Sequence, residues 1–158
     1  KVDYPLKSYI YIYFHMEKQK LIVYFSSLSV CGGVETFAKI FIKQMHKHYD
    51  ITFVYCIDKG NTIKEIEEFV PVEKYRGQEL FCDIFLSLTS YGIRCDTVTA
   101  QVKILMVHAN YSSPHLIDYS PDIIGKYDSF VAVSDSSAKG FKERYGIMPD
   151  VIYNLVDV

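Results

Sequence analysis

The stretch from Lys20 to Asp50, KLIVYFSSLSVCGGVETFAKIFIKQMHKHYD, reads as strand, glycine turn and helix, and limits the possible folds more than any other part of the sequence. Residues 21 to 25 (Leu-Ile-Val-Tyr-Phe) form an unbroken apolar run of strand length, which suits a central parallel strand covered on both faces. Ser26 to Gly33 is rich in Ser and Gly, and the Gly32-Gly33 pair can take backbone angles, or let a ligand approach, in ways a side chain forbids. The next segment has helical period. Phe37, Ala38, Phe41, Ile42 and Met45 fall on one arc, while Lys39, Lys43 and Lys47 stand on the opposite face.

A glycine pair before a helix leaves backbone N–H groups at the positive end of the helix dipole, a general anion site. The pair reads either as a tight strand-to-helix turn or as a binding loop. Neither G-x-G-x-x-G nor G-x-x-x-x-G-K-[ST] occurs, so no dinucleotide fingerprint and no P-loop is supported.

Strand-like runs recur down the chain at residues 51–56, 72–75, 83–88, 102–107, 130–133 and 151–153. A short acidic helix over 62–70 ends before Pro71, and a second helix follows Ser134, an N-cap, with Ala138, Phe141 and Tyr145 buried and Gly146 past its end. Alternating strands and helices joined by right-handed crossovers predict a doubly wound parallel sheet with helices on both faces. Ligands of such sheets sit outside the carboxyl ends of the strands, near the switch in strand order. Ser26 to Gly33, Ser87 to Ser90, His108 to Ser113, Ser134 and Asn154 all fall just past strand ends and should line one crevice.

The chain of 158 residues is one domain of ordinary size, and its net charge of −2 gives no reason for bulk attraction to nucleic acid. Cys31, Cys56, Cys82 and Cys95 lie far apart without a C-x-x-C, which favours reduced thiols and the cytosol. No His/Cys/Asp/Glu cluster has metal-ligand spacing, so no metal site is expected. The apolar run at 9–14 is too short to span a membrane, and no cleavage site follows it. Met16 to Lys20 reads as a natural start, so residues 1–18 are taken as an extension of uncertain structure, with an added edge strand as the alternative, and 19–158 as the domain.

GGVETFAKIFIKQM, the strand ending in VHAN, VAVSDSSAKGFKERYGI and the closing DVIYNLVDV resemble, in this order and spacing, the N-terminal domain of retaining GT-B glycosyltransferases of the group 1 family (family 4). The resemblance covers roughly residues 20 to 158. It implies one half of a GT-B fold: a Rossmann-like, acceptor-side domain facing a C-terminal domain that binds the nucleotide-sugar and lies outside this sequence. By the same resemblance, Gly32 and Gly33 would meet the donor diphosphate and His108 would be the catalytic candidate beside the transferred sugar. Glu35, Ser90, Asn110, Ser134 and Asn154 would line the cleft, with Asn154 and Asp157 opening the interdomain linker. The implied co-substrate is a nucleotide-sugar, with no metal or other cofactor, and the acceptor a glycan or lipid-linked sugar.

Several residues carry a plainer alternative. His108 could be a hydrogen-bonded core histidine, and Glu35 could merely complement the helix dipole. The Lys39/Lys43/Lys47 stripe reads as a solvated face, or else as a peripheral contact of a cytoplasmic protein with an anionic membrane bearing the acceptor. His46 and His48 read as surface residues. Glu65 and Glu73 have the spacing of the family's E-x7-E motif, but Pro71 interrupts the helix between them and they stand in the wrong half. A half-enzyme of this kind should be inactive alone, because charge stabilisation of the leaving diphosphate would come from the other domain. A non-catalytic scaffold with the same fold, or another nucleotide-binding α/β enzyme, are the competing readings.

Overall fold

The computed structural model of the chain describes residues 17–28, 32–58, 62–89, 92–109 and 121–153. Strand β1 (Lys20–Leu28) leads through the glycine turn into helix α1 (Gly33–Met45), which returns the chain to β2 (Asp50–Asp58). Helix α2 (Thr62–Glu67) and strand β3 (Val72–Lys74) complete the first half. The second half runs β4 (Leu80–Ser87), a 3-10 turn at Cys95–Thr97, β5 (Val98–Val107), α3 (Pro121–Ile124), β6 (Ser129–Ala132), α4 (Asp135–Tyr145) and β7 (Asp150–Val151).

The strands form one seven-stranded sheet in the order β3-β2-β1-β4-β5-β6-β7, and every pairing is parallel. The chain first steps outward from β1 to β3, then crosses back to place β4 against the other side of β1. The order therefore reverses between β1 and β4. This is the Rossmann-like doubly wound arrangement that the alternation of elements predicts.

Residues 21 to 25 are all buried, and their side chains alternate between two cores, as a central strand requires. Leu21, Val23 and Phe25 pack with Phe37, Ala38 and Ile42 of α1 and Ile63 and Ile66 of α2. Ile22 and Tyr24 face the opposite core, with Ile124 of α3 and Ala138 and Phe141 of α4. Helices thus cover both faces. Tyr24 is fully buried, and its hydroxyl meets Cys56 Sγ at 3.1 Å, while stacking on Phe85 and an edge contact with Tyr75 fix its ring.

β4 and β5 begin earlier than the expected runs, at the buried Leu80 and Val98, and pair in register from there. Asp83 accepts from Lys20 N at 2.8 Å and from Gln101 Nε2 at 2.7 Å, and Asp128 accepts from Lys103 N at 2.8 Å. Helix α2 stops at Glu67, short of the expected 62–70, and turns through Phe69 and Val70. At the other end of the sheet, α4 is built as its sequence predicts. Ser134 Oγ accepts from Ser137 N at 3.1 Å as the N-cap, and Gly146 takes the left-handed conformation at φ 73° that ends the helix.

Cys56, Cys82 and Cys95 are free thiols. Among the described residues, no helix is long and apolar enough to cross a membrane and no group of three or more His, Cys, Asp or Glu could hold a metal ion.

Candidate functional site

Parallel pairing puts the carboxyl ends of all strands on one rim, and the centre of that rim lies at the β1–β4 reversal. Tyr24, Ser87, Leu105 and Phe130 stand in register across β1, β4, β5 and β6, so the residues after them emerge side by side. There Leu88 N donates to Tyr24 O at 2.8 Å, Ser26 N donates to Thr89 Oγ1 at 3.2 Å, and Thr89 Oγ1 donates to Ser26 Oγ at 2.8 Å. These bonds clamp the ends of β1 and β4 together just before the chain enters the glycine turn.

His108 follows the last residue of β5, two strands from β1. Its ring lies edge to face on Phe37, with centroids 5.5 Å apart, which sets it against α1 one turn beyond the glycines. Nε2 is buried and has no hydrogen-bond partner among the described residues. Burial depresses the imidazole from its ordinary 6.5 to about 4, so the ring is neutral at physiological pH. A buried ring nitrogen left unpaired costs about 1–3 kcal/mol, and such groups concentrate where a function needs them.

The two glycines differ. Gly32 is the N-cap of α1 with extended backbone, φ −159° and ψ 162°, and no side chain caps the helix from that position. Neither Gly32 nor Gly33 has a positive φ, so the turn needs no backbone angle special to glycine. A Cβ on Gly32 would meet the movable end of the Glu35 side chain, whereas one on Gly33 would have nothing within 4 Å among the described residues. Thr36 holds the Gly32 carbonyl through its N, at 3.1 Å, and its Oγ1, at 3.0 Å. Glu35 itself is buried at 6% exposure.

Of the remaining candidates, Ser134 stands at the rim after β6 with its hydroxyl engaged in the α4 cap and 3.0 Å from Ser137 Oγ. Ser90, Asn110 and Asn154 lie outside the described residues, as do Cys31, Asp157 and residues 1–16. Glu65 forms an exposed ion pair with Lys39 at 2.9 Å, and Glu73 accepts from Gln78 Nε2 at 2.6 Å, so these two carboxylates lie on separate surface networks. His46 packs its ring on Phe69 at 5.4 Å on the outer side of α1.

Two contributors escaped the sequence reading. Phe37 reads as a core residue of the α1 arc, yet it also buries His108; its place four residues after Gly33 is the signal that could have paired it with the rim. Thr89 fell within the polar Ser87 to Ser90 run, but nothing local announces its bond to Ser26 across 63 positions. An apolar groove of about 340 Å³ runs along the flank of α1 between Phe37, Phe41 and Met45 and the sheet residues Ile84, Ile104 and Val131. Its walls offer almost nothing to a phosphate or a sugar hydroxyl, which separates it from the rim chemistry.

The sequence matches no protein-family model and no curated protein. The fold does match solved structures. Alr3699/HepE from Anabaena, in complex with UDP-glucose, is similar with a TM-score of 0.67 and 17% identity, covering 88% of this chain and 44% of HepE. The same protein in complex with UDP and glucose gives a TM-score of 0.61 at 17% identity, covering 89% and 45%, and in complex with UDP 0.62 at 17%, covering 88% and 44%. This chain therefore spans less than half the length of the structures whose fold it shares.

Proposed function

We propose that this chain is the acceptor-side half of a GT-B glycosyltransferase of the group 1, family 4 type, which moves a sugar from a nucleotide-sugar to a glycan or lipid-linked acceptor with retention. The observation that carries the reading is His108: a fold shared with a protein held in complex with UDP-glucose sets a neutral imidazole, with a ring nitrogen to spare, at the end of β5. Burial holds the imidazole neutral at pH 7, so His108 acts as a hydrogen-bonding partner for a sugar hydroxyl or a developing charge and not as a general acid. Gly33, where no described residue stands in the place of a Cβ, lets the donor diphosphate approach the backbone N–H groups that begin α1.

The donor is a co-substrate, and the reading assigns no metal or other cofactor. Nucleotide contacts and leaving-group stabilisation come from the second domain, so the 158-residue chain alone does not transfer sugar. The protein works in the cytoplasm, with the exposed Lys43 of α1 and Lys47 just beyond it as its contact with the inner face of a membrane that carries the acceptor.

A panel of nucleotide-sugars, assayed for donor hydrolysis and for transfer by the full natural chain, tests this. Turnover of a nucleoside-diphosphate hexose is the expected result. No turnover with any donor would leave a Rossmann-like scaffold as the better description.

A further inference from the structure

An imidazole that serves a substrate must first be oriented, and the usual device is a hydrogen bond to one ring nitrogen, which fixes the plane of the ring. His108 lacks that device at Nε2, which is buried with no partner among the described residues. What meets the ring instead is Phe37, at a centroid distance of 5.5 Å and an interplanar angle of 67°, the edge-to-face geometry that aromatic rings prefer. Phe37 is itself well held. It is 5% exposed, and its ring stacks on that of Phe41, one turn on, at 5.6 Å and 21°. It packs in one apolar cluster with Leu28, Leu88, Met106 and Val133, which stand at or just past the carboxyl ends of β1, β4, β5 and β6. An aromatic side chain on a helix has few rotamers open to it, so this ring is a fixed wall.

We propose that Phe37 is the positioning residue of His108: its ring, fixed by Phe41 and the apolar cluster, holds the plane of the imidazole and so the direction in which the ring nitrogens are offered. The contact of the two rings stands on geometry alone; that a sugar is what meets the nitrogen rests on the glycosyltransferase reading. Phe37 touches no reacting atom in this account. Its effect passes through His108.

Two measurements separate positioning from plain packing. In the chain itself, the Hα–Hβ couplings of His108, read by NMR, should take the extreme values of a single rotamer. Phe37→Leu, which keeps apolar bulk but no flat ring, should average them. If Phe37→Leu does not fold, Phe37→Met, whose flexible side chain fills irregular space, takes its place. In the full natural chain the same substitution should lower kcat about tenfold and leave the donor KM within about threefold of wild type. Ile42→Val, at a fully buried position of the same helix, should lower the melting temperature and leave kcat unchanged. Made in a His108→Ala background, the Phe37 substitution should change the residual kcat by less than about twofold, because the ring has nothing left to hold. An equal loss in both backgrounds would overturn the proposal, as would single-rotamer couplings in the variant or averaged ones in the wild type. Absence of transfer in the wild type would remove the enzyme reading, and the couplings would still decide this one.

Discussion

His108 packs edge to face on Phe37, and its buried Nε2 has no hydrogen-bond partner among the described residues. Its folded value lies near 4 against an ordinary 6.5, so the unfolded chain takes up the proton first. Stability should consequently fall as the pH drops from about 6.5 to about 4 and level off below, in thermal melts across that range. His108→Phe, which keeps a ring against Phe37, should flatten this part of the profile; an unchanged slope would show that other groups cause it. At Gly33, where a Cβ meets nothing among the described residues and φ is not positive, Gly33→Ala should hold or slightly raise the melting temperature and weaken donor use only. The glycine pair was legible as a strand-to-helix turn, but the expectation of glycine-only backbone angles was not met. At Gly32 the carboxylate of Glu35, three residues on in the same helical turn, lies where a Cβ would stand.

Elements were legible where burial and period coincide. The β1 apolar run and the α1 arc each face a core that the alternation foretold, and the α4 caps follow from local chemistry. Ser134→Ala should cost about 1 kcal/mol, read from the denaturation midpoint, since it leaves the Ser137 N–H without its cap. Removing Phe141, fully buried against Phe130 and Tyr145, should cost about 3–5 kcal/mol as Phe141→Ala. Boundaries were legible only in part. β4 and β5 extend back beyond the expected runs through Phe81, Cys82, Thr99 and Gln101, half-buried or exposed positions held by the parallel ladder and not marked by an apolar pattern. The four-residue α3 is too short to show a period at all.

At the scale of the molecule, one reversal in strand order gathers β1, its glycine turn, β4 and β5 at a single rim, and places His108 against the helix that the turn begins. This arrangement was legible because parallel crossovers leave few alternatives. The groups that would touch a nucleotide were not, since most of them would come from a second domain. The chain by itself should accordingly bind UDP-glucose more weakly than millimolar, with calorimetric affinity near micromolar, about −8 kcal/mol, pointing instead to a self-sufficient nucleotide binder. The most direct test of the His108 site is the turnover of His108→Ala in the full natural chain, with a melting curve taken on the same preparation. Loss of one transition-state contact worth roughly 2–4 kcal/mol predicts a fall in kcat of about 10²- to 10³-fold with little change in melting temperature. Wild-type turnover together with a melting temperature lowered by several degrees would show that His108 is a core residue and that the sugar site lies elsewhere.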